Sequence, residues 1–262
     1  MSSDIREAAL PPEVRATFLR STHGRTALGR LALLIGLVIG LAVSVVWLPR
    51  EAWAGLLAAL RAQRVLVVML LAFALIAVSL VWSAGQRLDT WVFLFFNLRG
   101  YHPRWLDHVM FLVTQVGNMA TAFLLAGLFF LLDTRRLAAE VILGTLALWV
   151  LVETIKLLTH RARPFLDLAE TRIIGWREPG RSFPSGHTAQ AFFLVTLLSH
   201  ALQLALGVGG TVALYAVAVL VGFTRMYVGA HYPRDVIGGA VLGSVWGILA
   251  TLVDPYWLGL WF

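Results

Sequence analysis

The sequence predicts an all-α membrane protein, and three observations carry that expectation. Hydrophobic residues make up 59% of the 262 positions and charged residues only 13%, more apolar surface than a soluble domain of this length can bury. Runs of the length a helix needs to cross a bilayer core, about 18 or more apolar residues, occur at 31–48, 65–83, 109–132, 137–158, 187–206, 210–228 and 235–253. Three polar clusters break this pattern, each at the end of a run. Cysteine is absent, which excludes a disulfide framework and thiolate chemistry without identifying a compartment.

Residues 1–30 hold Asp4, Glu7, Glu13 and five arginines. That stretch is too long and too acidic for the basic region of a cleaved signal peptide, so it reads as a retained polar tail. The first span, 31–48, leads into 50–64, whose helically spaced apolar residues and three arginines suit either an interfacial helix or a connector. Residues 84–108 mix Trp91, Tyr101 and Trp105 with Arg87, Asp89, Arg99, Arg104 and Asp107, a composition suited to the headgroup layer. In span 109–132, Gln115 and Asn118 are expected to bond between helices, with lipid headgroup contact as the alternative. The connection 159–186 is rich in Arg, Asp, Glu, Pro and Gly, and connections that long are either disordered or functional. In the last span Gly239, Gly243 and Gly247 recur every four residues. This spacing lets helices approach closely, and packing within the chain is favoured over a dimer seam. Residues 254–262 form a C-terminal tail.

The net charge of +7 comes from arginines scattered through loops, not from a basic run interleaved with aromatics. Nucleic acid is therefore not the expected partner; membrane orientation and an anionic substrate are. The only lysine, Lys156, belongs to the first polar cluster, Lys156…Arg163-Pro164. The second is Pro184-Ser185-Gly186-His187 and the third Thr224-Arg225…His231…Asp235. Following the spans through the bilayer, all three clusters meet on one membrane face. Lys156, Arg163 and Arg225 then bring together three positive charges, which is costly near a membrane unless an anion is meant to sit among them. Ser185 and Gly186 stand just ahead of a helix, where free N–H groups and the positive helix end make an anion site.

Phosphoryl transfer also needs a nucleophile and a proton donor. Asp235 follows His231 by four residues, and Pro233 between them suits a first helical turn, so the carboxylate can reach back to one ring nitrogen. That pairing favours His231 as nucleophile. His187, without a comparable carboxylate nearby in sequence, becomes the general acid that protonates the leaving oxygen and then activates water. Two histidines and an aspartate could instead hold a metal, but three cations would repel one while stabilising a phosphate; neither metal nor cofactor is expected. His23, His102, His108, His160 and His200 read as structural, and Glu153, three residues before Lys156, as an offset to its charge, with proton transfer as the alternative.

These three motifs resemble the signature of the type 2 phosphatidic acid phosphatase and vanadium haloperoxidase superfamily. The resemblance spans residues 156–235, with Thr224-Arg225 standing where Ser-Arg is usual. It implies a six-helix transmembrane phosphatase core over 65–253, with 31–48 as one additional N-terminal helix. It also implies a metal-independent phosphohistidine mechanism, with catalytic His231, His187 and Asp235 and with Lys156, Arg163, Ser185, Gly186 and Arg225 around the phosphate. The expected function is hydrolysis of a lipid phosphate: phosphatidic acid, phosphatidylglycerophosphate or a polyprenyl diphosphate entering from the bilayer. Transfer of the phosphoryl group to another acceptor, vanadate-dependent halide oxidation, and a transporter or binding role are the alternatives. Bacterial relatives generally look like inner-membrane enzymes with an extracytoplasmic site, which agrees with Arg135-Arg136 in the opposite loop. The arginines of the N-terminal tail argue for the reverse orientation.

Overall fold

The structure, a computed structural model, describes Gly36, Ile39 and residues 63–99 and 102–257. The tail 1–30, the span expected at 31–48 apart from Gly36 and Ile39, and all but the end of segment 50–64 lie outside the described residues, as do 258–262 of the C-terminal tail. The chain divides into two units, Met1–Trp47 and Leu48–Phe262, and the second carries everything that follows. Every regular element among the described residues is a helix: α1 Arg64–Ser79, α2 Ser83–Leu98, α3 Arg104–Gln115, α4 Met119–Leu131, α5 Arg135–Thr159, α6 Pro164–Asp167, α7 Gly186–Ala201, α8 Gln203–Tyr227 and α9 Pro233–Trp257.

Three stretches, Arg135–Asp167, Ala205–Tyr227 and Pro233–Leu252, are long and apolar enough to cross a membrane, and the bent pairs α1–α2 and α3–α4 bring the number to five when each counts as one span. Hydropathy alone does not register those bends. The run expected at 65–83 stops at Ser79 and turns by 95° into α2, so much of the expected headgroup connector 84–108 is helical. The run at 109–132 breaks by 59° between α3 and α4. Its polar residues explain the break. Asn118 is the N-cap of α4, accepting from the Ala120 N–H at 3.1 Å, and its amide donates to Gln115 Oε1 at 3.3 Å. Both side chains therefore bond within the bent pair and not, as expected, between helices.

α7 lies at the centre, packed against α9, α8 and α5, while α4 lies along α5 and α1 along α9. Its 16 residues are fewer than a free-standing span needs, and it is covered on most sides by other helices. The glycine stripe of α9 is the seam to α7. A Cβ built on Gly239 would fall 2.6 Å from the Ser185 carbonyl oxygen, one on Gly243 2.1 Å from that of Ala189, and one on Gly247 2.5 Å from Thr196 Cβ. No side chain fits at those distances, so the stripe is used within the chain. A large apolar core surrounds this seam, including Val141, Leu148, Phe193 and Leu197.

The long connection after α5 is ordered by buried polar anchors. Asn97 donates to the carbonyls of Arg172 and Tyr227, both at 2.9 Å, and accepts from the Arg172 N–H at 2.9 Å. Arg172 also reaches Asp107 at 2.7 Å. Gly229, at φ +86°, lets the Arg172 carbonyl approach to 2.3 Å from where a Cβ would stand, a conformation and a contact that only glycine tolerates.

Candidate active site

Four helix ends supply the site: the end of α5, the starts of α7 and α9, and the end of α8. Main-chain bonds fix them to one another. The Ser185 N–H donates to the Asp235 carbonyl at 2.9 Å, and the His231 N–H donates to the Arg225 carbonyl at 3.2 Å. The structure thus brings together all eight residues singled out by the motifs.

Arg163 and Arg225 are each only 2% exposed. Burying a guanidinium is tolerated only where its charge and its donors are matched. Arg163 Nη1 donates to the Ala230 carbonyl at 3.2 Å and to Glu178 at 3.1 Å, and lies 3.3 Å from His231 Nε2. Arg225 donates to Thr114 Oγ1 at 2.8 Å and also pairs with Glu178. Lys156 Nζ bonds Glu153 at 2.9 Å, the offset expected from their spacing. A Cβ on Gly186 would lie 3.9 Å from Lys156 Nζ, so the helix start and the lysine face one another. Ser185 Oγ accepts from Thr188 Oγ1 at 2.9 Å, leaving its own proton free to donate. The Thr224 hydroxyl instead donates to the Val221 carbonyl at 2.6 Å, so it serves its own helix.

His231 is 1% exposed. A guanidinium can only donate, so the approach of Arg163 makes Nε2 the lone-pair nitrogen and places the ring proton on Nδ1. Nδ1 lies 3.4 Å from Ser182 Oγ and 3.7 Å from Asp235 Oδ2, while Ser182 Oγ donates to that same Oδ2 at 2.5 Å. The direct His231–Asp235 bond expected from their spacing is therefore too long to be a hydrogen bond, and Ser182 stands between the two. Burial first, then the charges of Arg163 and Arg225, hold the His231 imidazole well below its usual pKa, which keeps it neutral and its lone pair available.

Asp235 is held from behind as well. Arg161 Nη1 donates to Oδ1 at 2.6 Å, and the Tyr232 N–H donates to Oδ2 at 2.9 Å. Arg161 also pairs with Asp89 and lies over the Tyr232 ring at 4.5 Å, and Arg234 reaches Asp89 at 2.7 Å. Arg161, Ser182, Asp89 and Glu178 were not among the expected site residues. Arg161 sits two positions before Arg163 in Arg-Ala-Arg-Pro, a weak signal, while Glu178 and Asp89 belong to no motif.

Glu178 also corrects the reasoning that distinguished the two histidines. His187 does have a carboxylate, with Nδ1 3.8 Å from Glu178 Oε1, but it comes from the long connection and not from a nearby sequence position. Burial would raise the Glu178 pKa, but Arg225, His187, His231 and Arg163 together outweigh it, so the group stays ionised well below the usual carboxylate range. Beside these residues a cavity of about 180 Å³ is lined by Glu178, His187 and Arg225 and by Phe111, Ile174 and Trp176, with Gln115 and Asn118 also on its wall.

The model of the PAP2 superfamily matches residues 137–258, the stretch holding all three motifs. Phosphatidylglycerophosphatase B of Bacillus subtilis is 35% identical over 159 residues, covering 53% of this chain and 70% of its own. Undecaprenyl-diphosphatase of Sulfolobus acidocaldarius is 25% identical over 192 residues, covering 71% and 90%. The crystal structure of a transmembrane PAP2 type phosphatidylglycerolphosphate phosphatase from Bacillus subtilis superposes with a TM-score of 0.60 at 26% identity, over 71% of this chain and 94% of that one. With its apolar helices and its buried arginines gathered at their ends, this multi-pass membrane chain belongs to the PAP2 superfamily.

Proposed function

We propose that the chain is a membrane-embedded phosphatase that hydrolyses a lipid phosphate through a phosphohistidine on His231, without a metal or other cofactor. The observation that carries this reading is the position of His231 Nε2, 3.3 Å from Arg163 Nη1 within a group of cations suited to a phosphoryl group; because a guanidinium can only donate, the lone pair is assigned to that nitrogen. Lys156, Arg163, Arg225, the Ser185 hydroxyl and the N–H groups at Gly186 bind the non-bridging oxygens and stabilise the charge that grows on them. Nε2 attacks phosphorus, the P–O bond to the lipid breaks, and His187 gives its proton to the departing oxygen. His187 then takes a proton from water, which attacks phosphorus, breaks the N–P bond and releases inorganic phosphate. Asp235, acting through Ser182, holds the Nδ1 proton and offsets the charge that forms on the ring.

The lipid tail lies against the apolar wall at Phe111, Ile174 and Trp176. The names of the relatives favour a phosphate or diphosphate at the end of a lipid, such as phosphatidylglycerophosphate or a polyprenyl diphosphate, and phosphatidic acid offers the same terminal phosphate. The two bent pairs with α5, α7, α8 and α9 make up a six-helix core within 65–253, to which 31–48 adds a further span. The position of Arg135-Arg136 at the end opposite the site favours an extracytoplasmic active site in a bacterial inner membrane.

The test is phosphate release from a panel of lipid phosphates and diphosphates in detergent, for wild type and His231→Ala, with and without chelator. Wild type is expected to hydrolyse at least one of them equally with chelator present, and His231→Ala to lose about a thousandfold or more. Release from none, or strict dependence on a divalent metal, would overturn the reading.

A further inference from the structure

The cation group already holds an anion of its own. Glu178 Oε2 lies 3.1 Å from Arg163 Nη1, Oε1 pairs with Arg225 Nη2, and Oε1 also lies 3.8 Å from His187 Nδ1. One carboxylate thus divides its two oxygens between the two buried arginines, as two oxygens of a phosphate would. It is carried on the connection between α6 and α7, not on a helix, two residues before Gly180 at φ +97°. Its side chain is 26% exposed against 2% for either arginine, so it covers them from the side of the cavity it lines.

The charges show what such a group can do. Lys156 is matched by Glu153, which leaves two arginines facing one carboxylate, a net charge of one positive. Replacing Glu178 by the single charge of a phosphodiester leaves that net charge unchanged. Replacing it by the double charge of a terminal phosphate cancels it. A tethered carboxylate also competes at high effective concentration, without having to be drawn from the bilayer. Discrimination of this kind works by opposing the wrong ligand as much as by attracting the right one.

We propose that Glu178 is a specificity-determining residue. It occupies the phosphate site in competition with ligands, excludes the phosphodiester headgroups that crowd the same bilayer, and yields to a terminal phosphate. The inference rests on the proposed phosphatase site.

Ligand-induced shifts in thermal unfolding of the full chain in detergent test this without requiring turnover, on the His231→Ala background. With Glu178 present, phosphatidic acid is expected to stabilise the protein and phosphatidylglycerol, a monoanionic phosphodiester, to do so much less. Adding Glu178→Gln should tighten phosphatidylglycerol binding about tenfold and narrow the difference between the two lipids. Glu178→Asp, too short to span both arginines, should move the same way by less. Equal stabilisation by both lipids with Glu178 intact overturns the proposal, and that arm stands even if neither substitution folds. Unchanged phosphatidylglycerol binding in folded Glu178→Gln overturns it too. If the selectivity appears while wild type releases no phosphate from any lipid, the catalytic reading fails and the role of Glu178 stands.

Discussion

Two groups of arginines and carboxylates lie on opposite sides of His231, and they are built differently. Behind it, Arg161 and Arg234 face Asp89 and Asp235. These are two cations against two carboxylates, both acids sit on helices, and Asp89 and Asp235 are buried. In front, Lys156, Arg163 and Arg225 face Glu153 and Glu178. Here the cations outnumber the acids, and the acid between the arginines comes from a loop and borders a cavity. A balanced, enclosed cluster fixes geometry, whereas an unbalanced one with a movable partner exchanges that partner for a ligand. On the proposed function, the same residue chemistry serves as a rigid support on one side of the histidine and as a binding site on the other.

Substitutions on the two sides should accordingly behave differently. The largest effect is expected from Arg161→Ala, which leaves two buried carboxylates without their shared cation and should lower stability by about 3–5 kcal/mol. Thermal unfolding in detergent would read this, and no added anion should restore it. Next is Ser182→Ala, which removes the link between His231 Nδ1 and Asp235. The loss of a hydrogen bond to a charged group predicts a fall in kcat/KM of about tenfold to a hundredfold, with a smaller drop in unfolding temperature than for Arg161→Ala because Arg161 and the Tyr232 N–H still hold Asp235. Glu178→Gln, on the exchangeable side, should cost about 1–2 kcal/mol, and orthophosphate should recover it by binding the exposed arginines. If phosphate instead rescued Arg161→Ala and not Glu178→Gln, the two clusters would have been assigned the wrong way round.

The smallest effect concerns pH. His231 stays neutral in the folded chain while the unfolded chain titrates near 6.5. Below that pH the unfolded state binds the additional proton, so stability is lost as pH falls through 6.5. Glu178, whose carboxylate is also held down, adds a loss of the same sign below about 4.5. Unfolding temperatures between pH 5 and 7 should therefore drop on the acid side for wild type and change less for His231→Gln.

The parts of this arrangement that a linear sequence could reveal are those governed by short-range spacing. Apolar run length located the long helices though not α2, the spacing of Gly239, Gly243 and Gly247 anticipated a close helix seam, and the i, i+3 spacing of Glu153 and Lys156 anticipated their pair. The bends at 80–82 and 116–118 escaped because their cause is local capping and contact, as at Asn118 and at Gly117, where a Cβ would meet the His187 carbonyl at 2.4 Å. Glu178, Arg161, Ser182 and Asp89 escaped for another reason. Their partners are brought to them by the folded connection: Arg161 meets Asp235 across 74 positions and Asp89 across 72, distances over which spacing carries no signal. The expected His231–Asp235 pair is present at 3.7 Å, but the hydrogen bonding between the two runs through Ser182, which arrives between them from that same connection.

The central claim, a covalent phosphoryl group on His231, is tested most directly by acid-free rapid quench of the enzyme with a radiolabelled lipid phosphate, followed by peptide mapping. The account predicts label that survives alkali, is lost in acid, and maps to His231. A burst of product with no label on the protein, or label on any residue other than His231, would contradict it.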